Sequence, residues 1–168
     1  YIYQGLINHG RGIEIILETF KKMPSKYIVF MGFGPLQKKV IEFSRHYENI
    51  IFKKAVKQDQ ILSITRSADI GISLIENTCK SYYLSLPNKI FEYLSSDIPI
   101  IVSDFPEMSA VINKYNCGWK VTPSVEKLKF LLNSINKKDI VLKSKNITKA
   151  IDAYSWENES LKLDILYK

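Results

Sequence analysis

The stretch Ser85-Leu-Pro87-Asn88-Lys89-Ile-Phe-Glu92-Tyr-Leu holds a cation and a carboxylate three positions apart, just behind a proline. In a helix that starts at Pro87, Lys89 and Glu92 share one face of the first turns. A lysine beside the hydrogen-bond-donating end of a helix suits a phosphate. A carboxylate is the group proteins use to grip the paired hydroxyls of a ribose. The competing use of the pair is a surface ion pair, for which Lys ahead of Glu is the weaker order. Two glycine-bearing segments invite the same kind of ligand. In Gly5-Leu-Ile-Asn-His9-Gly10-Arg11-Gly12 the small residues let a ligand approach the backbone, and the planar fork of Arg11 matches a phosphate. The competing use is a plain turn with an exposed arginine. In Gly32-Phe33-Gly34-Pro35 the glycines stand where a strand gives way to a helix, but Gln37 occupies the third glycine position of a dinucleotide fingerprint. That argues for a tight turn whose N–H groups line a pocket.

Other reactive side chains carry weaker patterns. His9 lies in a loop and His46 on a helix, and neither sits in a catalytic motif. Asp104 follows a strand end, where Asp is an ordinary turn or cap residue. Cys79 and Cys117 are far apart and without His neighbours, so they read as reduced thiols and not as metal ligands. The Asn-x-Ser/Thr triplets at Asn146 and Asn158 come with no secretion signal and are set aside.

The elements that must position these residues follow from the hydrophobic pattern. Apolar runs over residues 1–7, 26–31, 50–52, 68–75, 98–103 and 118–121 have strand length. Between them, apolar residues recur at helical spacing, as in Ile13, Ile16, Leu17 and Phe20, and again in Leu36, Val40, Ile41 and Phe43. Residues 58–66, 87–95 and 106–114 read as further helices, with Pro87 at an early position where its missing N–H costs nothing. Residues 76–86 are polar and irregular, a loop long enough to be functional. From residue 124 the chain is mostly helical, closing with a helix over 155–168 that carries Trp156, Leu161, Leu163, Ile165 and Leu166. Strands apolar on both faces and alternating with helices predict an α/β fold, a Rossmann-like, doubly wound parallel sheet with helices on both faces. Such a sheet binds ligands beyond the carboxyl ends of its strands. The two glycine segments, residues 53–57, the 76–87 loop and residues 103–106 all fall there.

These residues in this order resemble a known family. Leu86-Pro-Asn-Lys-Ile-Phe-Glu-Tyr-Leu, then Asp97-Ile-Pro-Ile-Ile-Val-Ser-Asp104-Phe-Pro-Glu107, is similar to the C-terminal domain of retaining, family-4-like glycosyltransferases of the GT-B fold. That class includes capsule, lipopolysaccharide and exopolysaccharide enzymes of bacteria. The opening Gly5 to Glu14, Gly32-Phe-Gly-Pro, Ser67-Ala-Asp-Ile-Gly-Ile-Ser-Leu, Cys117-Gly-Trp-Lys-Val and Tyr154-Ser-Trp-Glu157 extend the resemblance over nearly the whole chain.

The resemblance implies roles. Glu92 matches the second glutamate of the Glu-x7-Glu motif, which binds the nucleotide ribose, and Arg11 matches a basic residue that neutralises the donor diphosphate. Leu84 stands eight residues before Glu92, where the motif's first glutamate contacts the transferred sugar; the family's second basic residue lies either in the region of residues 53–57 or next to Gly5, and at the latter place this chain has Leu6. Glu76 is a candidate substitute for the missing glutamate, its alternative being a solvated loop charge. The donor-binding set is therefore Arg11, Gly12, Gly32, Gly34, Glu76, Pro87, Asn88, Lys89 and Glu92, with no metal and no cofactor beyond the donor nucleotide-diphosphate sugar.

The resemblance also implies a division of labour. Residues 1–168 form a single donor-binding domain, one half of a GT-B fold, and start at a domain boundary, as the opening Tyr1-Ile-Tyr suggests. The N-terminal acceptor-binding domain is then absent from the chain and carries the catalytic base. The full-length protein is a transferase that passes a sugar to a glycan or lipid-linked acceptor hydroxyl, and the isolated domain binds nucleotide without turnover. The alternative is half of a sugar-nucleotide epimerase, or a non-catalytic nucleotide-binding module of the same fold.

Composition is compatible with this reading. The 168 residues carry a formal net charge of +7, which points to an anionic partner. The lysines are scattered in pairs such as Lys21-Lys22 and Lys137-Lys138, without the dense basic block or stacking platform of a nucleic-acid-binding module. Solvated helix faces account for most of them. No apolar run approaches the roughly 18 residues that span a bilayer, so the expectation is a cytoplasmic protein. Basic charge and polysaccharide substrates allow peripheral contact with the inner face of the membrane.

Overall fold

A computed structural model describes residues 1–154 and residue 160. The expected closing helix over 155–168 and the Ser-Trp-Glu segment therefore fall almost wholly outside the described residues. In chain order the elements are β1 (Ile2–Leu6), α1 (Ile13–Lys21), β2 (Ile28–Phe33), α2 (Gln37–His46), β3 (Ile50–Lys54) and α3 (Gln58–Thr65). Then come β4 (Gly71–Ser73), α4 (Lys80–Tyr83), α5 (Asn88–Ser95), β5 (Ile100–Ser103) and α6 (Pro106–Tyr115). The remainder is β6 (Gly118–Val121), α7 (Val125–Ser134), α8 (Lys137–Lys145) and α9 (Ile147–Ala153).

The six described strands form one sheet in the order β3-β2-β1-β4-β5-β6, and every pairing is parallel. The order reverses between β1 and β4, which opens a crevice at the carboxyl ends of those strands. Successive strand residues point to opposite faces, and each face builds its own core. Tyr3, Ile28 and Phe30 join Ile16, Leu17, Phe20, Leu128 and Leu132 of α1 and α7 on one side. Ile2 and Met31 join Tyr93, Leu94, Met108, Val111 and Ile147 of α5, α6 and α9 on the other. The doubly wound, parallel α/β architecture expected from the sequence is the one observed.

Helix ends follow local chemistry. Gly12 starts α1 with a left-handed φ of 67°. Pro106 occupies the first turn of α6, and Asn116 ends that helix at a φ of 51°. Ser124 caps α7 by accepting from the Lys127 N–H. Asn136 and Asp139 form a reciprocal capping box on α8.

Three elements differ from the sequence expectation. Gly32 and Phe33 belong to β2 and not to the turn after it, because they pair with Gly5 and Leu6 of β1. A Cβ on Gly32 would overlap the Gly5 carbonyl, so this close strand contact requires glycine. β4 is only Gly71–Ser73, whereas residues 68–75 read as strand. Beyond Ser73 the chain is held by a side chain, since the Ser103 hydroxyl lies 2.8 Å from both the N–H and the carbonyl of Ile75. The expected irregular loop over residues 76–86 contains the short helix α4.

Candidate functional site

The carboxyl end of β1 carries Gly5 and Leu6, that of β2 Gly32 and Phe33, and that of β3 Lys54. Helices α1 and α5 begin at the same end of the sheet. Pro87 precedes α5, and no side chain caps that helix, so its first N–H groups remain open to an anion. Asn88 is the first residue of the helix and is exposed.

Lys89 does not serve as a surface ion pair. Its Nζ lies 3.8 Å from the centre of the Tyr3 ring. Burial pushes the ammonium down to about 7, the Arg11 guanidinium pushes in the same direction, and Glu92 opposes them. Tyr3 beneath it is raised by burial and donates its hydroxyl to the Leu6 carbonyl at 2.7 Å. Arg11 lies 5.1 Å over the Tyr82 ring of α4, and its buried Nε has no hydrogen-bond partner. Two cations thus face one another with Glu92 as the nearby carboxylate. Such a group carries net positive charge, which favours an anion.

Glu92 lies one turn into α5 and is half-buried. Its Oε2 accepts from Gln4 Nε2 at 2.6 Å. Glu92 borders two cavities. One, of about 150 Å³, is lined by Gly5, Gly32, Ala55, Val56 and Ile61. The other, of about 480 Å³, is lined by Gln58, Ile61, Asn88 and Phe91. The structure therefore brings together Arg11, Lys89 and Glu92, with Gly32 and Asn88 on the cavity walls.

Glu76 and Gly12 meet each other. Glu76 Oε1 accepts from the Gly12 N–H at 3.2 Å, and the Glu76 N–H donates to the Gly10 carbonyl at 2.9 Å. Through Oε1 and its own N–H, Glu76 braces the loop that carries Arg11. At Gly34 an added Cβ would press on the Ile7 carbonyl, so the backbone packs closely there. Leu84 ends α4 and is 47% exposed. Asp104 accepts from the Ser109 hydroxyl at 2.7 Å and pairs with Lys120 at 3.4 Å; it does not cap α6, whose N-cap is Phe105. His9 is exposed and pairs with Glu14 at 3.7 Å.

Sequence reasoning passed over Gln4, Tyr3, Tyr82 and Tyr93. Only Gln4 left a trace, as a polar residue in the middle of an apolar strand. A polar side chain in that position must find partners inside the protein.

Residues 2–134 match the family described as glycosyl transferases group 1. The chain belongs to that family. Comparison with curated protein sequences returns no match. Among solved structures, this group 1 glycosyltransferase chain is similar to the sucrose-phosphate synthase of Thermosynechococcus elongatus. The TM-score is 0.80 at 17% identity, over 99% of this chain and 44% of that one. It is also similar to Anabaena Alr3699/HepE in complex with UDP and glucose, with a TM-score of 0.76 at 14% identity, over 100% of this chain and 48% of that one. The C-terminal domain of a group 1 family protein (LpcC) from Francisella tularensis matches with a TM-score of 0.68 at 18% identity, over 92% of this chain and 85% of that one. These likenesses establish the Rossmann-like fold of GT-B proteins. The glycosyltransferase chain spans less than half the length of the synthase and of HepE. Among the described residues no helix is long and apolar enough to cross a membrane.

Proposed function

We propose that this chain is the donor-binding half of a retaining glycosyltransferase and that its ligand is a nucleoside diphosphate sugar. The observation that carries the reading is the meeting of Arg11, Lys89 and Glu92 where the strands end and α5 begins uncapped. The diphosphate lies between Arg11, Lys89 and the start of α5, and the ribose diol meets the open oxygen of Glu92. The complex of HepE with UDP, a neighbour in fold, supports the nucleotide class.

During transfer, negative charge grows on the departing diphosphate. Arg11 and Lys89 stabilise it from fixed positions in a partly dry site, without calling on a metal ion. The sugar passes to a hydroxyl of a glycan or lipid-linked acceptor held by an N-terminal half, which also supplies the remaining catalytic groups. That enzyme works in the cytoplasm, with peripheral contact at the inner membrane face. The 168-residue chain alone binds donor and does not turn it over.

The test is thermal melting of the chain with UDP, GDP, ADP, TDP and NAD, repeated on Glu92→Ala. One nucleoside diphosphate stabilises the wild type, and the variant loses at least about tenfold in affinity for it, as expected when a charged hydrogen bond is lost. Stabilisation by NAD alone, or equal stabilisation of both proteins, refutes the reading.

A further inference from the structure

Gln4 is 2% exposed and lies in β1 between two strands, on the face that packs against α5. An apolar residue would fill that place at lower cost, because a buried amide must have every polar atom satisfied. Its side-chain amide and its backbone N–H each meet a partner. Gln4 presents its NH2 group to the Glu92 carboxyl and donates to Oε2 at 2.6 Å. The amide oxygen then faces the other way, 2.5 Å from the Thr65 hydroxyl of α3, whose one proton is shared between Gln4 Oε1 and the Ile61 carbonyl at 2.7 Å. The amide is held between Glu92 on one side and Thr65 on the other.

The backbone of the same residue engages the next residue of α5. β4 is so short that β1 pairs with it only at Ile2 and Gly71. The Gln4 N–H is left without a strand partner and donates to the Tyr93 hydroxyl at 3.0 Å, which donates in turn to the Ile72 carbonyl at 3.1 Å. Gly71 makes room, since a Cβ there would collide with the Tyr93 ring. One residue of β1 thus fixes both Glu92 and Tyr93, and with them the rotation of α5 about its axis.

We infer that Gln4 is a positioning residue for the ribose: it holds Oε2 of Glu92 and leaves Oε1 aimed outward to read the 2′- and 3′-hydroxyls. The inference rests on the donor-site reading above. It makes Gln4, and Thr65 behind it, the source of discrimination between ribonucleotides and 2′-deoxyribonucleotides. Without the amide, the carboxylate still carries its charge but samples several rotamers, so it attracts a diol without selecting its geometry.

The experiment is calorimetric titration of the 168-residue chain with UDP, GDP and ADP, each against its 2′-deoxy counterpart. Wild type, Gln4→Leu and Thr65→Val are compared after their melting curves confirm folding. Wild type prefers the ribo form of its nucleotide by roughly tenfold or more, the scale of a hydrogen bond to a charged group. Gln4→Leu reduces that preference to within about threefold, and Thr65→Val gives an intermediate value, the losses being fractions of the same hydrogen bond. A merely structural role would weaken both forms equally and leave their ratio intact. If wild type binds no nucleotide, the donor-site reading falls and takes this inference with it. If wild type discriminates and both variants keep its ratio, the donor-site reading stands and the role of Gln4 is overturned.

Discussion

Lys89 holds a buried amine beside a second cation. In the free chain its ammonium is held near 7 by burial first and by Arg11 second, against the pull of Glu92. Tyr3, Tyr82 and Tyr93 are further titratable groups around this cluster. A bound diphosphate reverses the balance by adding negative charge beside Nζ. Binding above neutral pH therefore takes up a proton, and affinity falls as pH rises past 7. Calorimetry in buffers of different ionisation enthalpy measures that uptake, and Lys89→Met abolishes both the uptake and the pH slope. Stability carries the opposite signature. Between about 7 and about 10.4 the unfolded lysine keeps a proton that the folded one has lost. The folded state is therefore favoured more as pH rises through that window. Melting curves show Lys89→Met most stabilising at pH 7 and below, with the advantage shrinking toward pH 10. An unchanged pH slope in the variant would assign the titration to another group.

Among elements, the joint between α1 and the end of β4 sets where Arg11 can be. Gly12 has a φ of 67° and stands so close to Leu74 that an added Cβ would lie 2.5 Å from the Leu74 Cβ. Its N–H is also the donor to Glu76. Gly12→Ala meets both a left-handed backbone penalty and an overlap with buried side chain, together about 2–5 kcal/mol. Urea unfolding should show that loss, and nucleotide affinity should fall with it because Arg11 moves with the loop. Wild-type stability in this variant would mean that the joint is slack and that Glu76 does not brace it.

The same joint shows what the sequence could disclose about elements. The strands were legible because both faces of a parallel sheet are covered, so the core strands are mostly apolar runs. The limits of β4 were not, because Ile70, Leu74 and Ile75 are buried without belonging to the strand. Burial and pairing leave the same mark on sequence. α4 was hidden because four mostly exposed residues have no apolar stripe to betray them. The site was legible where charge stood at a helix start, as in Lys89 and Glu92. It was not legible where its partners come from β1, since Gln4 and Glu92 are 88 residues apart and only the fold reveals that they touch.

For the whole molecule, the question is whether the net charge of +7 or the built site governs anion binding. A surface of scattered lysines attracts any polyanion by releasing counterions, and such binding collapses by about 10³–10⁵ between 50 and 200 mM salt when six to ten phosphates are contacted. Arg11 and Lys89 form a different kind of attractor. They are two cations, partly withdrawn from solvent and near enough to act on one another, with Lys89 in the first turn of an uncapped helix. Charges so placed are screened far less by salt. Nucleoside diphosphate affinity should then fall less than about tenfold over the same salt range, two neutralised charges standing against six to ten. A single-stranded oligonucleotide, titrated in parallel, should bind weakly at low salt and not at all at 200 mM. Salt dependences of equal steepness would mean that the chain recognises charge in bulk and that the cluster at Arg11, Lys89 and Glu92 selects nothing.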